Sequence, residues 1–452
     1  MIGTRLDVAG LTSRDPATAR TKDWDPVLDT YARGVDLMRA LPETDPRSWL
    51  WAANTHGIPA GTRPRPAWNQ CAHGSLFFLP WHRAYLAWFE KTIRTLTGDD
   101  EWRLPYWDYS APADVADRSL PVEFTVSTRT VDGQVVPNPL FDAQRTGGPV
   151  PLEDVDIVGA LAETRYVRLF PEVGFGGSDR GGVTGDLEQL PHNFVHGGIG
   201  GLMNRTTTAG RDPIFWLHHA NIDRLWEVWR ALPGSVHLTD PGAAPALLVL
   251  RWRSAIFPFG RERSPSTFAM EEIENLETLG YAYESITLPP DLAAAVEEAR
   301  TPGGGLGLDD VQPAWEPVAA TFDVNSGEDR EVPLRTGRLG LDEAPPAGLV
   351  LELAGVQATD PHAVYVVEVR SDPDVAPHRA GRFSTFGLEG TPDTEERSYV
   401  VDASAVLSEL AEEGWSGGQL SVKVVPEEGR PDSDDAEKAI HIRQVTVYVQ
   451  NT

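Results

Sequence analysis

The segment Asp212-Pro213-Ile214-Phe215-Trp216-Leu217-His218-His219-Ala220-Asn221-Ile222-Asp223-Arg224-Leu225-Trp226 constrains the fold more than any other part of the chain. Pro213 suits the start of a helix, and Trp216, Leu217, Ala220, Leu225 and Trp226 suit its burial. Two adjacent histidines and an aspartate inside a buried helix need partners, because burying an unpaired polar group is destabilising. Adjacent helical side chains point about 100° apart, so only one of the two histidines shares a face with Asp223. That residue is His219, four positions earlier. Asp223 is expected to orient His219 or to brace the backbone near it, and His218 to be a neighbour rather than a ligand.

Five more histidines fall into a pattern with His219. His192 and His196 are four apart, so on a helix both rings leave one face. With His219 they make one set of three imidazoles. His56, in the segment Leu50 to Gly57, and His73 and His82, in Asn69 to Arg83, make a second. Pro80 and the apolar series Tyr85, Leu86, Trp88, Phe89, Ile93 and Leu96 predict a helix beginning near Trp81, with His82 in its first turn. On that helix Glu90 and Arg94 are four apart and read as a surface ion pair. An earlier helix is predicted over 25–41, ended by Pro42. Each histidine triplet offers three nitrogen ligands and leaves coordination positions open. Imidazoles without a carboxylate suit copper or zinc better than magnesium or manganese. Two neighbouring coppers can each give an electron to dioxygen, which zinc cannot do.

Composition narrows the partners. The 452 residues carry a net charge of -28, which argues against nucleic acid or an anionic membrane as partner. No apolar run approaches the ~20 residues of a membrane span. Met1 to Lys22 lacks an export-signal pattern, so a cytoplasmic location is expected unless a leader has been removed. Cys71 is the only cysteine, which excludes an intrachain disulfide. Residues 110–190 are rich in Gly, Pro, Asp and Thr and predict long loops. From about Ala319, β-branched alternating runs separated by turns predict a β-sandwich, with one short helix near Val406 to Glu413. The expected fold class is α+β: a mainly helical domain over 1–290, a linker over 291–318 containing Thr301-Pro302-Gly303-Gly304-Gly305, and a β-sandwich over 319–452.

The spacing His73-(four residues)-Phe78-Leu79-Pro80-Trp81-His82-Arg83-(two)-Leu86-(three)-Glu90 resembles the first-copper signature of the tyrosinase family. Asp212-Pro213-(one)-Phe215-Trp216-(two)-His219-(three)-Asp223 resembles its second-copper signature. The family comprises tyrosinases, catechol oxidases (plant polyphenol oxidases) and molluscan-type haemocyanins, all built around two coppers in a four-helix bundle. The resemblance assigns His56, His73 and His82 to one copper and His192, His196 and His219 to the other, His56 lying in a loop-like setting. Gly280-Tyr281-Ala282-Tyr283 and the β-rich tail resemble plant polyphenol oxidases, in which the tail of latent members covers the copper site.

Four finer expectations follow from the same likeness. Cys71, two residues before His73, resembles the cysteine that forms a thioether to that histidine in fungal and molluscan members. Glu188 and Asn193 resemble a pair that holds a water for deprotonating monophenols, and at i,i+4 Glu188 shares a helical face with His192 if Pro191 lies in the first turn. Thr206 and Gly197 imply an open entrance. The implied activity is oxidation of o-diphenols to o-quinones by dioxygen, with ortho-hydroxylation of monophenols. A catechol or o-aminophenol oxidase, or a haemocyanin-like oxygen carrier, is the alternative. The oligomeric state stays open.

Overall fold

The computed structural model describes residues 2–110, 117–146, 148–300, 315–327, 329–332, 346–358, 363–372, 374–388, 397–415, 420–427 and 440–450. Two hydrophobic cores organise them, one helical and one between two sheets.

The helical core is built on Pro26–Ala40, Trp49–His56, Phe78–Thr97 and Pro213–Ala231, with the short Phe194–Ile199 beside them. Local chemistry sets their starts. Asp25 and Asp212 accept from the backbone N–H groups of Val27 and Ile214, each followed by proline in the first turn, and the Ser48 hydroxyl caps Trp51, satisfying donors that a helix N-terminus leaves bare. Gly98 ends the long helix Phe78–Thr97 in a left-handed conformation, φ 72°, as such caps require. Aromatic contacts lock the bundle: Phe89 stacks on Trp216 at 3.5 Å, and the Tyr31 hydroxyl donates to the Pro213 carbonyl at 2.7 Å.

Three local expectations change. The helix expected to begin near Trp81 begins at Phe78 instead, because a first-turn N–H has no intrahelical partner and Pro80 loses nothing there. His56 is the last residue of a helix, not part of a loop. Glu90 does not pair with Arg94; it is buried and pairs with Arg5 at 3.1 Å, and it accepts the Leu104 N–H. The i,i+4 rule describes an exposed face, and Glu90 lies on the buried one.

Arg5 reaches Glu90 because Gly3–Arg5 runs parallel to Tyr281–Tyr283 as a two-stranded ribbon. Arg5 and Arg83 converge on Asp223, which also accepts from the hydroxyls of Tyr281 at 2.6 Å and Tyr283 at 2.5 Å. Asp223 therefore braces the start of the chain, two helices and the Tyr-x-Tyr strand, and has no recorded bond to His219. Although burial pushes its pKa up, Arg83, Arg5 and the two tyrosines outweigh this and hold it below the usual carboxylate range.

The β-domain is a sandwich of two four-stranded sheets. In one, Gly348–Ala358 pairs antiparallel with Ile440–Gln450, Leu351 opposite Val447. Its inward residues Leu349, Leu351, Leu353, Val445, Val447 and Val449 meet Tyr365, Val367, Val369, Val422 and Val424 of the other. Three strands escaped the sequence reading: Asp329–Val332, His378–Ser384 and Ser398–Asp402. His378–Ser384 is an edge strand carrying two arginines and a glycine, which blurs its alternation.

The domain boundary also moves. Residues Pro290–Arg300 form a helix whose Arg300 donates to the carbonyls of Leu161 and Pro233, so they belong to the helical domain. The first sandwich strand begins at Trp315. Of the expected linker, 301–314, with its Thr301 to Gly305 run, lies outside the described residues. Among those described, no helix is long and apolar enough to cross a membrane.

The sandwich faces the helical domain through specific contacts. Arg382 pairs with Asp154 and Arg180 with Glu352, both at 2.6 Å, Trp315 donates to Glu172, and the Ser398 N–H donates to the Gly182 carbonyl at 3.1 Å. These contacts place the turn at Thr385 and Phe386 over the histidines.

Candidate metal centre

All six expected histidines come together. The potential donor atoms of His56, Cys71, His73 and His82 lie within 4.8 Å of one another, and those of His192, His196, His218 and His219 form a second such group. Ring centroids are 5.2–5.6 Å apart in the first triad and 4.6–5.5 Å in the second. His82 and His219 stack at 4.2 Å, joining the groups across the bundle axis.

The backbone orients the rings. His56 donates from Nδ1 to the Thr206 carbonyl at 2.8 Å, His82 to Phe78 at 2.8 Å and His196 to Met203 at 2.9 Å. An Nδ1–H bound to a carbonyl leaves Nε2 as a bare lone pair, the tautomer a metal needs. Burial lowers the pKa of His56 to about 4 and of His192 to about 3, and pushes His73, His82, His196 and His219 well below the ordinary value, so the rings are neutral.

This donor set fits metal ions. Nε2 of His56, Nε2 of His192 and Nδ1 of His219 are buried without a hydrogen-bond partner. The His196 and His219 Nε2 atoms face each other at 3.4 Å. Buried ring nitrogens without partners are unfavourable; one cation among His56, His73 and His82 and another among His192, His196 and His219 would satisfy the Nε2 atoms of His56, His192, His196 and His219, and neutral nitrogen donors select copper or zinc. Phe78 and Phe215 wall the site, with centroids 4.6 Å from His82 and 4.2 Å from His219.

Cys71 Sγ lies 3.1 Å from Nδ1 and 3.6 Å from Nε2 of His73, and so faces the ring carbon between them. The pair fits a thioether bond. His218, set aside in the sequence reading as a neighbour, joins the second group but is tied by Nδ1 to the Tyr109 hydroxyl at 2.9 Å.

Glu188 reaches the site by another route than the expected helical face. Leu190 is extended (φ −140°, ψ 123°), so the helix breaks there and Pro191 opens the segment bearing His192; a residue before proline is pushed out of the helical region. The Glu188 carboxylate accepts the Gly74 N–H at 2.8 and 3.1 Å, next to His73. Burial raises its pKa to about 8 against the lowering influence of Arg397 and of backbone N–H groups. Asn193 Oδ1 is 2.9 Å from His192 Nδ1, and its Nδ2 is buried without a partner. Thr206 meets the site through its carbonyl on His56, and Gly197 lies half-buried one residue past His196.

The residue sequence reasoning missed is Phe386. Its ring stacks on His196 at 4.0 Å and 13°, and lies 5.7 Å from His192 and 5.9 Å from His73. Nothing in the local sequence marks it, since the contact is made by the sandwich folding against the bundle.

Two facing histidine triads on a helical bundle, with a sandwich closing over them, define a binuclear metalloprotein class. Comparison with known proteins gives the family. Residues 46–169 and 171–232 match the common central domain of tyrosinase. A tyrosinase of Hahella sp. is 29% identical over 94% of this chain and 97% of its own length. An aureusidin synthase of Antirrhinum majus is 28% identical over 59% of this chain, and the chain spans about half the length of such plant relatives. Among solved structures, a latent apple tyrosinase superposes with a TM-score of 0.60 at 21% identity, covering 100% of this chain and 98% of its own. The chain belongs to the tyrosinase and polyphenol oxidase family, and it is a copper oxidoreductase.

Proposed function

We propose that the chain oxidises o-diphenols to o-quinones with dioxygen and also ortho-hydroxylates monophenols. His56, His73 and His82 hold one copper, and His192, His196 and His219 the other. The observation that carries this reading is the seat of Phe386: a planar six-membered ring fits parallel to His196 over both triads, which is the space a phenol ring would take. Relatives named polyphenol oxidase, aureusidin synthase and (+)-larreatricin hydroxylase support the substrate class.

Two bound coppers supply electron exchange with dioxygen and the oxidising power toward the ring. The protein supplies position and proton handling. His196 and the aromatic walls hold the ring flat and exclude water. A phenol with pKa near ~10 needs a base to become phenolate at neutral pH. Glu188 is that base, acting through a water to which Asn193 Nδ2 also donates. A base with pKa about 8 is well matched to the task. The sandwich is a cover, and Phe386 fills the ring position until it moves away.

Oxygen uptake by copper-loaded protein with 4-methylphenol and 4-methylcatechol, on the full chain and on Phe386→Ala, tests this. Uptake with both by the variant is expected. Uptake with the catechol alone would leave a catechol oxidase and remove the role of Glu188 and Asn193. No uptake with two coppers bound would favour an oxygen carrier, the reading the covering Phe386 also suits.

A further inference from the structure

A cavity of about 800 Å³ opens between the helical domain and the sandwich, and no histidine is among the described residues that line it. Glu163, Arg168 and Asp186 face it from one side, and Trp315, Val350 and Asp402 from the other. The kinked segment that carries Glu188 to Gly74 turns Gln189 and Leu190 into its wall. Its arginines are engaged. Arg168 pairs with Glu163 at 2.7 Å and Glu172 at 3.1 Å, Arg382 pairs with Asp154 and Glu427, and Arg300 donates to backbone carbonyls. Asp186 differs: half-buried, its carboxylate has neither a hydrogen bond nor an ion pair among the described residues. Asp402, on the sandwich, accepts the Ser404 N–H at 2.9 Å and has no cationic partner among them. Residues 301–314, flanked by Arg300 and Trp315 of the lining, include no Lys, Arg or His, so that segment brings no cation to these carboxylates.

We propose that this cavity binds an organic ammonium ion with an apolar or aromatic body, its charge between Asp186 and Asp402 and its body against Leu190, Trp315 and Val350. The volume suits a small organic molecule held by a few polar groups on apolar walls. A desolvated carboxylate without a partner is unfavourable, and an ammonium supplies charge-assisted hydrogen bonds to it. Burial, then Glu163 and Asp402 against the lowering influence of Arg168, pushes the Asp186 pKa well above the ordinary carboxylate range. A cation arriving there therefore displaces a proton, which leaves to solvent, and the carboxylate stays behind as the partner of the ammonium. Asp186 and Asp402 belong to different domains, so a cation between them turns repulsion into attraction. The ligand thus tightens the docking of the sandwich on the bundle.

The probe is 2-phenylethylammonium, titrated calorimetrically into the copper-loaded full chain. It should bind, and 3-phenylpropanoate, of similar shape and opposite charge, should not. Asp186→Asn and Asp402→Asn each keep an acceptor oxygen and should each weaken binding about tenfold, the loss expected of one charge-assisted hydrogen bond. Titrations in buffers of different ionisation heat should show proton release at neutral pH with the wild type and none with Asp186→Asn. Copper-free protein should bind the probe equally, which separates the cavity from the metal centre. With the probe bound, amide exchange at Ser398, whose N–H crosses to the Gly182 carbonyl, should slow several-fold. The melting midpoint of each variant separates these effects from misfolding.

Equal binding of the ammonium and the carboxylate, or binding unchanged in both aspartate variants, would refute recognition by charge. Binding lost on removal of copper would place the ammonium at the metal centre and overturn the proposal. Binding of neither probe would overturn it too, since the cavity would then be filled or closed in solution. Binding without slower exchange at Ser398 would refute the bridging of the two domains. Oxygen uptake enters none of these readouts, so their outcome is independent of the phenol reading.

Discussion

Replacing Asp223 by alanine should be among the most destabilising single changes in the helical domain. Asp223 is buried and accepts from Arg83, Arg5, Tyr281 and Tyr283. Both arginines are fully buried, so removing the carboxylate leaves them with Glu90 and the partly exposed Glu227 as remaining carboxylate partners. Breaking a buried ion pair from one side costs roughly 3–5 kcal/mol. At about 2 °C per kcal/mol for a domain of this size, the melting midpoint should fall by roughly 6–10 °C. Asp223→Asn keeps the shape and an acceptor oxygen, and should fall by about half as much. The control is Asp29→Ala, whose partner Arg129 it meets at 2.7 Å from an exposed position; exposed pairs contribute roughly 0–1 kcal/mol. The sign with pH follows from the lowered pKa of Asp223. Its stabilising contribution is complete above the unfolded value near ~3.9 and is lost as pH falls through the folded value. The gap between wild type and Asp223→Asn should therefore be constant at neutral pH and close only in strong acid. Equal midpoint shifts for Asp223→Ala and Asp29→Ala, read by scanning calorimetry on the copper-loaded chain, would refute the account of this network.

Other consequences can be measured directly. Intact-mass analysis of the copper-loaded, oxygen-exposed chain should show the loss of two hydrogens, with Cys71 and His73 recovered in one cross-linked peptide; Cys71→Ser should keep the full mass. Arg382→Met breaks the ion pair to Asp154 and the contact over the Phe194 ring at 4.3 Å, so it should loosen the cover and raise basal catechol oxidation several-fold, read as oxygen uptake. Removing copper with a chelator should lower the melting midpoint, because a ligand bound only by the folded state stabilises it. Zinc should restore the midpoint without restoring oxygen uptake.

Much of the centre was legible because its information is local. His192 and His196 are one helical turn apart, so periodicity pairs them, and the likeness of the Asp212 to Asp223 segment to the second-copper signature adds His219. What stayed hidden depends on distant partners. Glu90 finds Arg5, 85 residues away, and a helical spacing rule points to Arg94 instead. The break at Leu190 follows from the proline after it, yet its effect, sending Glu188 to Gly74, depends on a loop more than a hundred residues earlier. Phe386 and Arg397 belong to a domain whose docking the sequence pattern does not encode. In the sandwich, strands with a clean apolar rhythm were readable, whereas His378–Ser384, bearing charge on an edge, was not.

The parallel pairing of Gly3–Arg5 with Tyr281–Tyr283 has a consequence for how the molecule is made. The helical domain is stitched shut by its first and last strands, so on the ribosome it cannot close until the Tyr-x-Tyr segment has emerged. The sandwich comes only afterwards. During that interval the histidines stand uncovered, and metal can enter a finished bundle before Phe386 exists to cover them. Synthesis order thus gives the centre one unguarded moment, and the stitch also means that cutting the cover away later would not unravel what lies beneath.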